Sequence, residues 1–324
     1  VAVAKARQAL HLGDIMTDQF VSYPQRIAHQ CAESIIRLMK KDGLNWTKEW
    51  ITPLPNCNAV TGHQYTGTNV LMTSLNALNF GWTDPRWITA AECKRRGISF
   101  KSCKATPIFY YKPKEELENE PNGKNLWSGL KWYNVFNLDQ LSLTAEDCED
   151  FIKLPEADIR VETQRFSDID NFISKCGIQV KEANSAFYRK TDDSINIPPI
   201  ENFKTDLGYY SVLLHEFIHA TGVPDRCARQ CYADYHYIEK QRAREELVAE
   251  LGSAQLAVWF GITKEPDINN AAYIKHWVEL LEDHPSEIFK AARDAADAIT
   301  WIKEIVKCHM PMEELDGSVA TQAA

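Results

Sequence analysis

From Pro24 to Lys41 the apolar residues Ile27, Cys31, Ile35, Ile36 and Met39 recur at helical spacing, and Asp42-Gly43 ends the run, so the pattern predicts an amphipathic helix. Asn69–Leu78 reads as a second helix, and Thr89–Arg96 as a short one with Thr89 as its N-cap. Ile98–Lys101 and Pro107–Tyr111 read as the strands of a hairpin, and Leu130–Asn137 as a further strand. Between the last two, Lys112–Gly129 is rich in Glu, Pro and Gly, the composition of a mobile insertion.

The second half alternates differently. Leu141–Phe166 is acidic and irregular, as a linker would be. Ser167–Gly177 reads as a helix, Val180 opens a strand, and Ala186–Arg189 and Ser194–Ile197 read as strands joined at Thr191–Asp193. Three helical stretches follow: Ser211–Gly222, the segment around Arg244–Leu251, and Asn269–Asp283. Ser286 caps a last helix running to about Lys307. The expected fold class is α+β in two domains, residues 24–141 and 167–308, joined by a linker at 142–166. Flexible segments are expected at 1–23 and 309–324.

One helix carries chemistry. Within Ser211–Gly222 stands His215-Glu216-Phe217-Ile218-His219, surrounded by Val212, Leu213 and Leu214. Residues four apart share a helix face, so His215 and His219 can direct their imidazoles at one zinc ion. Glu216 lies beside them, placed to take a proton from the water that the metal activates. Downstream, Glu246 and Glu250 are four apart among Leu247, Val248, Leu251, Ala254 and Leu256. A carboxylate buried among such residues is costly unless paired or bound to metal. Glu246 as third zinc ligand and Glu250 as hydrogen-bond acceptor behind a ligand histidine satisfy both. Glu245 lies on a different face and reads as a solvated residue facing Arg242 or Arg244. Tyr188 and Tyr273 could offer a donor to an oxyanion, although each reads first as a packing tyrosine. A strand beside the metal helix is where an extended protein substrate would align.

Composition and charge narrow the partners. No run of eighteen apolar residues occurs, so no membrane span is expected. Nine cysteines without a C-x-x-C pair suit a reducing, cytoplasmic setting. The net charge of −9 excludes a generically basic nucleic-acid binder. Its distribution is uneven: residues 24–141 hold 15 Lys and Arg against 10 Asp and Glu, whereas residues 142–324 hold 19 against 33. The first half also interleaves Trp46, Trp50, Tyr65, Trp82, Trp87, Tyr111 and Tyr133 with Lys48, Arg86, Lys101, Lys104 and Lys131. Stacking platforms beside a modest positive field suit single-stranded nucleic acid. The residues assigned to that contact are Trp46, Lys48, Tyr65, Asn69, Arg86, Trp87, Lys101 and Lys104.

These motifs, taken in order, resemble the ArdC-type antirestriction proteins of conjugative plasmids and related bacterial mobile elements. In the first half the likeness rests on Asn58, Thr61-Gly62, Tyr65, Gly67 and Asn69-Val70-Leu71, then Asp84-Pro85-Arg86-Trp87-Ile88-Thr89 and Tyr133-Asn134-Val135-Phe136-Asn137. In the second half it rests on Ile197-Pro198, Tyr209-Tyr210, Leu213-Leu214-His215-Glu216, His219, Thr221-Gly222 and Arg244 to Glu250. The loop Lys101-Ser102-Cys103-Lys104-Ala105 departs from the family's usual pattern, lacking its two glycines and its acid. The resemblance implies an N-terminal single-stranded DNA-binding domain, a C-terminal zincin-like metallopeptidase domain and protection of incoming DNA from host restriction. The non-catalytic alternative is a DNA-binding shield with a structural zinc site.

Overall fold

The computed structural model describes residues 22–47, 54–110, 131–154, 162–264 and 271–309. The expected flexible ends fall outside these residues except for Ser22, Tyr23 and His309, and the expected insertion and Lys48–Trp50 lie wholly outside them.

Helix α1 (Tyr23–Asp42) opens with Gln25 Oε1 accepting from the Ser22 backbone N–H at 2.8 Å. It buries the predicted stripe Ile27, Cys31, Ile35, Ile36 and Met39, with Ala28 and Ala32 beside it. Much of that stripe packs on the second half of the chain, against α8 (Ala271–Asp283) and α9 (Glu287–His309). Trp46 is fully buried edge-on to Trp277 at 6.2 Å, and Phe109 packs on Phe289 at 5.4 Å. One continuous apolar core therefore joins the two sequence halves.

The first sheet has the order β1 (Cys57–Asn58), β2 (Arg86–Thr89), β4 (Lys131–Asn137), β3 (Thr106–Tyr110), flanked by α2 (Thr68–Phe80) and α3 (Ala90–Arg96). Thr89 caps α3 as expected, its hydroxyl accepting from Glu92 N–H at 3.2 Å. The expected hairpin is corrected here. Ile98–Lys101 forms no strand, and β3 pairs antiparallel with β4. Gly97, left-handed at φ 75°, closes α3 and turns Ile98 into a small core with Cys93 and Phe136. The apolar residues of this segment fill that core: Phe100 packs on Phe136 at 4.8 Å. The acidic stretch that follows is partly anchored on this half. Phe151 is buried, and Ile152 N–H donates to Ala59 O at 2.8 Å.

In the second half, α4 (Glu162–Lys175) begins at Glu162 rather than at Ser167, and Phe166 within it stacks on Tyr210 at 4.2 Å. A three-stranded sheet follows in the order β5 (Gln179–Glu182), β7 (Ser194–Ile197), β6 (Phe187–Arg189), which leaves β6 as an edge. Then come α5 (Asp206–Ala220), the short α6 (Gln230–Ala233) and α7 (Glu239–Phe260). Thr205 caps α5 by accepting from Gly208 N–H at 3.0 Å. Helix α7 packs against α5, α6, α8 and α9, so nearly every residue from Glu245 to Ala257 is buried. Among the described residues no helix is long and apolar enough to cross a membrane.

Because α1 is part of the shared core, Ile35→Ala removes fully buried volume where both halves meet. Denaturant unfolding should show a loss of about 2–5 kcal/mol. Both halves should still unfold in one transition.

Candidate metal centre

Helices α5 and α7 cross with His215, Glu216 and His219 on one and Glu245, Glu246 and Glu250 on the other, all of them buried. His215 Nε2 lies 3.1 Å from His219 Nε2 and 3.2 Å from Glu246 Oε2, and His219 Nε2 lies 3.7 Å from that oxygen. The three side chains can each offer one ligand atom, all within 4.8 Å of one another. This is the His₂-carboxylate donor set that binds zinc in hydrolytic sites. Glu216 lies alongside, and its Oε2 accepts from Tyr188 N–H on the outer edge of β6 at 2.9 Å. Burial raises the Glu216 carboxyl, while His219 and His215 pull it down.

Behind each histidine stands a carboxylate, and behind each carboxylate a buried cation. His219 Nδ1 lies 3.1 Å from Glu245 Oε1, and Arg229 grips both Glu245 oxygens at 2.6 and 2.9 Å. His215 Nδ1 lies 3.7 Å from Glu250 Oε2, to which Lys264 Nζ approaches at 2.6 Å. The chain reaches these cations by two tight returns. Gly222 faces Tyr232 so closely that a Cβ would lie 2.6 Å from Tyr232 Cγ, and this return brings Arg229 under α5. Gly261, left-handed at φ 69°, ends α7 and folds Ile262 and Lys264 back toward Glu250.

These pairings set the electrostatics. Burial opposes charge on Glu245 and Glu250, but Arg229 with His219, and Lys264 with His215, hold each carboxyl at about 2. Burial likewise disfavours the charged histidines. Glu246 and Glu250 outweigh it for His215, raised to about 9, and Glu246 and Glu245 for His219, raised to about 10. With both imidazoles neutral and all four glutamates ionised, Glu216, Glu245, Glu246 and Glu250 set four negative charges against Arg229 and Lys264 among the described residues, an excess of two. A divalent cation matches that excess, so the donor set and the charge fit the same group.

The sequence reading brought His215, Glu216, His219, Glu246 and Glu250 to one place, and the structure does the same. Glu245 is corrected. It is fully buried and holds Arg229 and His219, because α7 has no solvated face at that position. Arg229, Lys264 and Tyr235 went unread. Tyr235 donates its hydroxyl to Glu246 Oε1, leaving Oε2 toward the histidines. Arg242 fixes this tyrosine through its guanidinium 5.7 Å over the ring and Nε donating to Tyr235 O at 3.2 Å. Three glutamates on one buried helix were the available signal for a deeper network. Nothing local marked Arg229 or Lys264. Of the two tyrosines weighed as oxyanion donors, Tyr273 has its hydroxyl 3.5 Å from that of Tyr235, and Tyr188 gives its hydroxyl to Asp193 at 2.6 Å.

The residues assigned to DNA are mostly engaged elsewhere. Trp46 and Trp87 are fully buried, Trp87 donating through Nε1 to Asn56 Oδ1 at 3.0 Å, and Tyr65 is buried beside it. Asn69 bonds both the N–H and the C=O of Phe109, covering the free edge of β3. Arg86 is clamped by Asp84 at 2.7 and 3.0 Å and by Ile152 O at 3.1 Å. Lys101 and Lys104 are exposed, and Lys48 lies outside the described residues.

Arg229→Met strips Glu245 of its counter-charge, and denaturant unfolding should show a loss of about 3–5 kcal/mol. Combining it with Glu245→Gln should restore most of that loss. Tyr235→Phe leaves Glu246 without its anchor. Divalent-metal affinity, measured against a chromophoric chelator, should fall about 10- to 100-fold without a change in circular dichroism.

Comparison with known proteins agrees with this geometry. Residues 167–294 match the zincin-like metallopeptidase family, and residues 25–136 match the N-terminal domain of the anti-restriction factor ArdC. Two DNA primases TraC of Escherichia coli are 30% and 29% identical over 82% and 84% of this chain, which spans only 26% and 19% of their lengths. An uncharacterized protein, y4eC, of Sinorhizobium fredii is 25% identical over 88% of this chain and 94% of its own. The antirestriction ArdC protein from plasmid R388 superposes in its metal-free form with a TM-score of 0.66 at 26% identity, covering 88% of this chain and 99% of that one. Its Mn(II)-bound form gives 0.67 at 28%, covering 86% and 97%. With an ArdC N-terminal domain leading into a zincin-like domain, the chain belongs to the ArdC-type antirestriction family.

Proposed function

We propose that this antirestriction protein binds single-stranded DNA through its N-terminal domain and hydrolyses peptide bonds in proteins on or near that DNA, at a zinc site in its C-terminal domain. The observation that carries the catalytic half is the buried convergence of His215, His219 and Glu246 with Glu216 on the same helix. A zinc ion bound only for stability has no use for a neighbouring carboxylate held out of its ligand set, and a hydrolase does. The Mn(II)-bound relative supports a metal-binding role for the domain.

In this reading His215, His219 and Glu246 hold the metal. When bound, a zinc ion polarises a carbonyl and makes water a stronger acid. Glu216 takes the proton from the attacking water and returns it to the leaving amine. Its present partner, Tyr188 N–H, belongs to the unpaired edge of β6, where an extended peptide can add main-chain hydrogen bonds. Glu245 and Glu250 fix the two imidazoles, and Tyr235 fixes Glu246. The ArdC N-terminal domain supports the DNA-binding half, and the plasmid origin of the R388 relative supports carriage on mobile DNA. Strand binding would raise the local concentration of proteins on that strand.

The decisive assay is cleavage of candidate proteins, including the chain itself, with zinc and with or without single-stranded DNA. Glu216→Ala should retain zinc and DNA binding and lose DNA-stimulated cleavage. DNA protection that survives in Glu216→Ala, with no cleavage by the parent, would instead establish the shield.

A further inference from the structure

The aromatic residues that face solvent in the first half are not those that sequence spacing selected. Tyr110, Trp132 and Tyr133 are 50%, 46% and 49% exposed, and Phe80 is 47% exposed. Three of these lie on neighbouring positions of the β3–β4 pair. The register Tyr110↔Lys131 and Ile108↔Tyr133 puts Tyr110, Lys131 and Tyr133 on one face. Further along that face the row turns inward to Ile108, Val135 and Trp87, which are buried with Tyr65. Phe80 stacks on Trp82 at 4.8 Å, and Trp82 stands edge-on to Trp87 at 5.7 Å, bordering the same face. On the opposite face Trp132 stacks on Tyr23 at 5.3 Å, and Arg26 lies 5.8 Å over the Tyr23 ring.

We infer that the outer half of the β3–β4 pair, through Tyr110, Lys131 and Tyr133, is the platform on which the N-terminal domain stacks the bases of single-stranded DNA. This deepens the DNA-binding reading above and rests on it. Half-exposed aromatic side chains on a strand leave a ring face uncovered, and a flat unstacked base is the partner that covers it while leaving the phosphate to a nearby cation. Lys131, opposite Tyr110 and exposed, is that cation. A duplex hides its base faces in its own stack, so the platform discriminates for single strands. Stacking without base-edge hydrogen bonds is sequence-tolerant. The buried aromatics Tyr65 and Trp87 continue the same face into the core, Trp46 packs elsewhere against Trp277, and none of the three touches a base.

The test is fluorescence anisotropy of a labelled oligothymidine with the full chain at two salt concentrations. Tyr110→Ala combined with Tyr133→Ala should weaken binding by about tenfold or more. Tyr133→Phe, which keeps the ring, should bind like the parent. Lys131→Ala should lower affinity and flatten the salt dependence by about one counterion. Tyr237→Ala, at an 85% exposed tyrosine in the other half, should change nothing. Parent-like binding by the double variant would overturn the platform while leaving the DNA-binding reading intact. An equal loss on duplex DNA would overturn base stacking. Failure of the parent chain itself to bind the oligothymidine would remove the underlying reading, and the platform with it.

Discussion

Three carboxylates buried on one helix are the constraint that organises the second half of this protein. Glu245, Glu246 and Glu250 lie on α7, which is packed on several sides, so none can escape to water. Each unpaired charge there would be too costly to keep. The chain answers with partners drawn from separate elements: His215 and His219 from α5, Arg229 from the return after Gly222, Lys264 from the return after Gly261, and Tyr235 from the segment leading into α7. The three candidate metal ligands are thus part of a larger charge-balancing network. The same attraction that orients the imidazoles also leaves a net negative pocket suited to a divalent ion.

Positioning a ligand depends on what stands behind it. Here a carboxylate bonds His219 at 3.1 Å and another stands 3.7 Å from His215, each with a cation behind it, and Glu246 is held by a tyrosine that Arg242 braces. Glu245 and Glu250 are held by cations and Glu246 by Tyr235, whereas the contact described for Glu216 is a backbone N–H of an edge strand. That single weaker restraint is consistent with the one residue whose proposed task requires it to accept and release a proton.

Much of this was legible in the chain, and the failures share a cause. The metal helix could be read because two histidines and a glutamate sit among residues that insist on burial, and Glu246 could be read because its neighbours do the same. Helical-face reasoning puts Glu245 on a solvated side of α7, but at that position the helix has none. Arg229 and Lys264 act across 16 and 14 residues of sequence, through backbone returns that no local periodicity encodes. The Ile98–Lys101 segment has a strand's composition, yet Gly97 turns it into a helix closure and hands the pairing to β4. Trp46 and Trp87 carry the composition of a nucleic-acid platform but sit at zero exposure, whereas Tyr133 carries no stronger signal and stands half exposed. Aromatic content alone cannot separate a core from a stacking surface; burial separates them.

The packing of α1 bears on how the two proposed activities could be coupled. Its N-terminal end stacks Tyr23 on Trp132 at the sheet of the first half, and its stripe runs on into the core formed with α8 and α9. Helix α8 also supplies Tyr273, whose hydroxyl neighbours that of Tyr235 behind Glu246. A strand held on the β3–β4 platform and a peptide at β6 would therefore sit on one packed body, and the proximity of substrate to catalytic centre would follow from rigid geometry as well as from effective concentration. Charge works in the same direction. The first half has an excess of basic residues, and the second a larger excess of acidic ones, part of it neutralised internally at the metal centre. A polyanion would be drawn to the first half and repelled from the rest, which would leave the proposed metal site open to protein instead of to the strand.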